Sequence, residues 1–226
     1  NDLNRLTRAL EIYLTEYVES KERKVKELVY IKELEISHVI SFNYSHTYEK
    51  KYNVGKNIEY DYIHGEVNIN NTIETNNMVL GMDEYLPDDR RNKDIEFIAF
   101  KKFYQRIYKG TGCKYKEWVD KIRDEWENET EENKKEIRKC ISRGDFNNKK
   151  IHKVYIFGHS LDVTDRDILR DLILNDNVHT TIFYPDKEEL GRKIANLNIV
   201  IEQDELIKRT GGSTKTIEFK QQQEMI

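Results

Sequence analysis

KVYIFGHSLDVTDRDILRDLI, residues 153–173, decides the reading of the fold. A run of β-branched and aromatic residues, 153–157, has the composition of a buried strand. It stops at Gly158-His159-Ser160, and an amphipathic segment follows at once. The helix is expected over about 165–174. Thr164 is expected as its N-cap, and Asp167 three residues on stands as a shorter version of the capping-box Glu. Strand, glycine turn and helix in immediate succession form half of a βαβ unit.

The same alternation continues towards the C-terminus. HTTIFYPD, 179–186, reads as a strand and 187–197 as a helix. A short helix near 204–208 ends at Gly211-Gly212, and KTIEF, 215–219, reads as a closing strand. Strands alternating with helices imply a parallel sheet covered on both faces. Ligands in such sheets bind at the carboxyl ends of the strands, where loops meet helix N-termini.

Working back from residue 153, the pattern is less regular. Leu3, Leu6, Leu10, Tyr13 and Tyr17 step by three and four, one face of an amphipathic helix. A second helical piece is expected over 21–34. Strands are expected over 37–43, 60–68 and 77–84, the last two each interrupted by a glycine. A helix follows over 93–109, with Ile95, Ile98, Phe103 and Ile107 as its apolar positions. Residues 115–140 are densely charged and read as an exposed helical hairpin. The whole is taken as one α/β domain, 1–226, with a charged helical insertion over about 94–149.

Composition narrows the function classes. The 226 residues carry 42 acidic and 38 basic side chains, a net charge of −4. A nucleic-acid binder would show a basic balance, so that class is disfavoured. Cys113 and Cys140 lack metal spacing and read as thiols of a reduced, cytoplasmic protein. No apolar run reaches transmembrane length. H-E-x-x-H, C-x-x-C, G-x-S-x-G and Walker patterns are all absent, which argues against zinc proteases, nucleophile-elbow hydrolases and P-loop enzymes. No metal is expected.

Three turns after strands deliver polar groups. SFNYSHTYE brings Asn43, Ser45, His46 and Glu49; IHGEVN brings His64, Gly65 and Glu66; FGHSLDVTD brings Gly158, His159, Ser160 and Asp162. If their strands are parallel neighbours, all three share a rim. Gly158 lets a backbone approach a ligand closely, and Ser160 offers a hydroxyl and an N–H beside a helix start, which suits phosphate or ribose. An ordinary capped βα turn would look the same. His64 is suited to a general base near neutral pH, or to a plain backbone hydrogen bond. Asn43 can orient a sugar hydroxyl or a water, or cap its own turn.

Taken together, VISFNYSHTYEKKY (39–52), YIHGEVN (62–68), NNMVLGMDE (76–84) and VYIFGHSLDVTDRDIL (154–169) resemble the bacteriophage abortive-infection AbiH family, over about 39–219. More distantly, the pattern resembles the sirtuin-like NAD-binding fold, a Rossmann core. That resemblance aligns Asn43 with an asparagine and His64-Gly65 with a His-Gly pair, both serving the nicotinamide ribose. It aligns Gly158, Ser160, Leu161 and Val163 with a Gly-Thr-Ser-Leu-x-Val motif on the adenosine side. Ser45 stands where that pattern has aspartate, and His159 where it has threonine. Two cysteines cannot build the four-cysteine zinc lobe of the deacetylases. The resemblance also implies a preceding strand and a glycine-rich Gly-Asn-Gly-Phe-Asp loop; residues 1–36 read as the helices after it, so both are expected to be missing.

The resemblance therefore implies a phage-defence protein with NAD as substrate or ligand and NAD glycohydrolase as the candidate activity. Asn43 and His64 are the candidate catalytic residues. Gly158, His159, Ser160, Asp162, Gly65 and Ser45 are the candidate cofactor-binding residues. Glu66 or Asp83 would supply charge. The alternatives are a non-catalytic nucleotide-sensing or partner-binding module and an RNA-targeting toxin. Besides the nucleotide, a phage or host trigger protein and self-association are the partners the role leaves open.

Overall fold

The structure is a computed structural model that describes residues 2–20, 28–53, 57–81 and 98–222. The chain divides into two compact units, one running to Tyr115 and the other from Lys116. Each is a small α/β assembly built on parallel strands. Among the described residues the strands form two sheets, where the sequence suggested one: β-branched runs show where strands are, not which strands pair.

In the first unit, α1 (Asp2–Tyr13) continues into a π-helical stretch, Leu14–Glu19. A one-turn helix α2 (Val29–Lys32) precedes β1 (His38–Ser41). Helix α3 (Thr47–Tyr52) then crosses to β2 (Glu59–Tyr62), which pairs parallel to β1 with His38 opposite Glu59 and Ser41 opposite Tyr62. The crossover packs through tyrosines. Tyr48 and Tyr52 sit one turn apart on α3, Tyr60 and Tyr62 two apart on β2, and the Tyr48 and Tyr60 rings lie 6.5 Å apart.

The apolar stripe of α1 is not its buried face. Leu6, Tyr13 and Tyr17 are exposed, whereas Thr7 and Glu11 are buried. The Glu11 carboxylate accepts hydrogen bonds from Arg8, from the Asn68 backbone N–H and from the side chains of Asn71 and Asn76. A fully satisfied carboxylate can be buried, and here it fastens α1 to the segment after β2.

Residues 77–81 form no strand either. The primary amide of Gln105 takes the place of a strand partner, accepting from Leu80 N–H and donating to Leu80 C=O, both at 3.0 Å. Gln105 lies on α4 (Lys102–Lys109), which a turn at 99–100 separates from the preceding residues of the helix expected over 93–109. Its buried residues are Gln105 and Arg106, while Phe103 and Ile107 are exposed. Backbone groups of neighbouring segments need these polar side chains more than the core needs the apolar ones: Arg106 donates to the Gly112 carbonyl at 2.7 Å. The earlier part of that expected helix, residues 21–27 of the second one, and Asp83 lie outside the described residues.

The charged stretch is a helical hairpin, α5 (Tyr115–Glu127) and α6 (Glu131–Arg143). Thr130 caps α6 through its hydroxyl, and Gly144 ends it in the left-handed conformation. Trp126 lies under the guanidinium of Arg138, 4.9 Å from its ring centroid, and packs with Ile137, Ile141 and Ile151.

The rest of the second unit follows the expected alternation. β3 (His152–Ile156), α7 (Arg166–Ile173), β4 (Val178–Tyr184), α8 (Lys187–Ile201), α9 (Gln203–Thr210) and β5 (Ile217–Gln221) form a three-stranded parallel sheet in the order β3-β4-β5 with its helices. Ile156, Leu161, Leu169, Ile173, Ile182, Leu197 and Ile217 meet in its core. The start of α7 differs in detail. Asp162, rather than Thr164, is the capping side chain: it accepts the Thr164 N–H at 3.0 Å and opens a 3-10 turn, Val163–Asp165, that leads into the helix.

Among the described residues, no helix is long and apolar enough to cross a membrane.

Candidate functional site

The sequence-derived candidates fall into two groups. Asn43, Ser45, His64 and Gly65 belong to the first unit; Gly158, His159, Ser160 and Asp162 belong to the second.

In the first unit, parallel pairing brings the Asn43 and His64 turns together. β1 and β2 end side by side, so the chain after Ser41 runs next to the chain after Tyr62. Ile63 N–H donates to the Ser41 carbonyl at 2.9 Å. One residue on, the His64 ring takes over, with Nδ1 3.2 Å from the Phe42 carbonyl oxygen. A carbonyl only accepts, so Nδ1 is the donor of this hydrogen bond. Val67 N–H then donates to the Tyr44 carbonyl at 2.9 Å. His64 is buried, with the Phe42 and Tyr44 rings beside it.

Asn43 is exposed, and its side-chain amide makes no hydrogen bond among the described residues; its backbone turns on the Ser41 hydroxyl. The Ser45 hydroxyl is 3.2 Å from that of Thr47, at the start of α3. Gly65 has φ +77, and a Cβ there would lie 2.3 Å from the Asn77 carbonyl oxygen. The glycine thus lets residues 77–78 close over the His64 turn, a requirement of packing within the protein.

Charged groups surround the same strand ends. His46 Nδ1 is 2.7 Å from Glu19 and its Nε2 is 2.8 Å from Glu66. The hydrogen bond to Glu66, with Glu19 adding to it against the effect of burial, raises the pKa of His46. Burial pushes Glu19 up, but the His46 N–H, Lys50 and the His46 ring together hold it below the usual carboxylate range. Burial, then Glu49, pushes Tyr60 up to about 12. Burial and Glu49 likewise raise Tyr62, whose hydroxyl donates to Glu49 at 3.3 Å.

In the second unit the Gly158 turn is built from the inside. Gly158 has φ +63 with open space where a Cβ would stand, and Ser160 is exposed. His159 points inward: its Nδ1 accepts the Leu161 N–H at 2.9 Å, and its Nε2 lies 3.4 Å from Asp165. That geometry fixes Nε2 as the protonated nitrogen and the ring as a strut of the turn. Leu161, fully buried, takes φ +60. A branched residue in that region is strained, and its burial in the core together with the His159 bond maintains it. The Asp162 carboxylate is occupied by its cap. Of the four candidates here, Gly158 and Ser160 face outward.

Two residues that sequence reasoning missed complete this turn. Lys193 and Asn196, on α8, donate to the carbonyls of His159 (2.6 Å) and Ser160 (2.9 Å). Lys193 is buried, and burial lowers its pKa. A signal existed: Lys193 occupies the helical position between Leu190 and Leu197, where an apolar residue belongs.

Among the described residues, no group of three or more His, Cys, Asp or Glu side chains is arranged to hold a metal ion. The arrangement offers an imidazole and a primary amide at one pair of strand ends, and an outward-facing glycine-serine turn at another strand end. Neither a curated protein nor a solved structure matches the chain at a significant level. Residues 1–184 match the model of the family described as bacteriophage abortive infection AbiH, and the chain belongs to that family.

Proposed function

We propose that this AbiH protein acts in abortive infection by binding and cleaving NAD. Membership of the family supports the role in phage abortive infection. The chemistry rests on one observation, the side-by-side turns of Asn43 and His64 at the carboxyl ends of β1 and β2. In this reading water adds to C1′ of the nicotinamide ribose as the bond to nicotinamide breaks, giving nicotinamide and ADP-ribose. Asn43 orients the ribose or the water through its amide. The Nε2 lone pair of His64 takes the proton that water loses. Such a reaction has an oxocarbenium-like transition state and needs positioning and charge stabilisation rather than a nucleophilic side chain.

The test is incubation of the purified protein with NAD, following nicotinamide release. Release that falls by about 100-fold or more in His64→Ala and Asn43→Ala supports the reading. Wild-type protein that neither binds NAD nor releases nicotinamide ends it.

A second reading, nucleotide sensing without catalysis, is favoured by the occupied Ser45: its hydroxyl meets Thr47, and no carboxylate stands at that position. Binding of NAD by wild type with no release of nicotinamide would select it.

A further inference from the structure

We infer that His46 is a positioning residue, an imidazolium tie that holds the Asn43 turn against the His64 turn. It follows β1 by a few residues and forms the N-cap of α3. Both of its ring nitrogens face carboxylate oxygens: Nδ1 is 2.7 Å from Glu19 Oε1, and Nε2 is 2.8 Å from Glu66 Oε2. An ionised carboxylate only accepts, so both nitrogens must carry protons, and the ring that satisfies both contacts is the cation. Its backbone N–H donates to Glu19 as well, at 2.7 Å.

The position of Glu66 gives the tie its consequence. Glu66 lies two residues after His64, and His46 three residues after Asn43. The His46–Glu66 bond therefore spans the two turns beyond the end of the strand pairing. The Val67 N–H to Tyr44 carbonyl bond, one residue from Glu66 and two from His46, reports the same apposition. The groups facing His46 come from every neighbouring element. Glu19 ends the π-helical stretch, Lys50 of α3 lies 3.0 Å from Glu19, Glu66 follows β2, and the Tyr62 ring lies 5.2 Å away with Glu49 beyond it. Glu19 and Glu66 touch the ring and Glu49 lies beyond Tyr62, against the single ammonium of Lys50, a net negative surrounding that favours the imidazolium. Its pKa is raised accordingly, chiefly by Glu66.

The sign follows. With a folded pKa above the unfolded one, the stabilisation is fully present below the ordinary histidine value of about 6.5 and is lost as pH rises through the folded value. Loss of the ring proton leaves one carboxylate facing a lone pair, and that contact breaks. This inference is independent of what the two turns bind.

The experiment is NMR on the full chain. The His46 ring carbons are followed through a pH titration, and hydrogen–deuterium exchange protection is read at the Val67 amide over the same range. The expected result is a midpoint above the ordinary histidine value, a lower midpoint in Glu66→Gln, and loss of Val67 protection that tracks each midpoint. A wild-type midpoint at or below the ordinary value overturns the inference. So does Val67 protection that stays constant while the ring loses its proton. The wild-type arms need no variant to fold, and neither readout involves NAD, so a failure here is distinct from a failure of the nicotinamide assay.

Discussion

The imidazole of His64 donates from Nδ1 to the carbonyl oxygen of Phe42 at 3.2 Å, so a side chain adds the rung that follows the β1–β2 ladder. Two consequences can be separated. His64→Ala removes a buried hydrogen bond and aromatic contacts, and is expected to lower the stability of the first unit by about 2 kcal/mol in urea unfolding. His64→Gln is expected to lose less stability, yet to lose nicotinamide release as completely as the alanine variant, since an amide cannot take a proton near neutral pH. Equal activity in His64→Gln and wild type would limit His64 to the structural bond.

The glycines of the two candidate turns are expected to respond differently to alanine. At Gly65 the added Cβ meets the Asn77 carbonyl at 2.3 Å, in addition to the unfavourable φ of +77. At Gly158 only the φ of +63 opposes it, a cost of about 1–2 kcal/mol. Gly65→Ala should therefore disrupt the first unit, while Gly158→Ala remains folded with a modest drop in melting temperature. Thermal unfolding of both variants checks this, and a Gly65→Ala protein as stable as Gly158→Ala would contradict the close packing of residues 77–78.

Glu11 is expected to dominate the acid sensitivity of the first unit. Burial works to raise its pKa, but hydrogen bonds from Arg8, Asn68, Asn76 and Asn71 outweigh that and hold it below the usual range. A depressed folded pKa gives stability that is present above the unfolded value, about 4.3, and is lost as pH falls through the folded value. Glu11→Ala should destabilise by about 3 kcal/mol at pH 7, because the donors it satisfied are left buried. Glu11→Gln should be less stable than wild type at neutral pH and show a flatter acid limb. Unfolding curves at a series of pH values decide it; a wild-type acid limb unchanged in Glu11→Gln would remove Glu11 from this role.

Lys193→Met should loosen a turn rather than unfold a domain. The substitution deletes the donor to the His159 carbonyl and also removes a charge from a buried site, and these effects offset each other. Global stability should stay within about 1 kcal/mol. The Leu161 amide, bonded to His159 Nδ1, should exchange with solvent measurably faster, because the ring loses the fixed backbone it depends on. Unchanged exchange at Leu161 would show that Asn196 and the core hold the turn without Lys193.

The second unit was the more legible half in the sequence. In residues 153–173 the strand composition, the glycine and the helix follow one another within a single βα unit, and each is a local property of the chain. The repeat of that alternation through β4, α8 and β5 is enough to order a parallel sheet. His64 and Asn43 were legible as residues that end strands, and parallel pairing brought their turns together.

Periodicity alone located α1 but misassigned its buried face. Leu6 and Tyr13 form an apolar stripe, yet Glu11 is buried, because its partners Asn68, Asn71 and Asn76 lie 57 to 65 residues away. Gln105 replaces a strand partner for Leu80 across 25 residues, and Lys193 reaches the His159 carbonyl across 34. The sequence by itself determined where the strands, turns and helices of the βα units stand, because local backbone preference and side-chain period set them. Only the tertiary structure decided which polar side chains enter the interior, because a buried charge or amide is tolerated only where distant groups complete its hydrogen bonds.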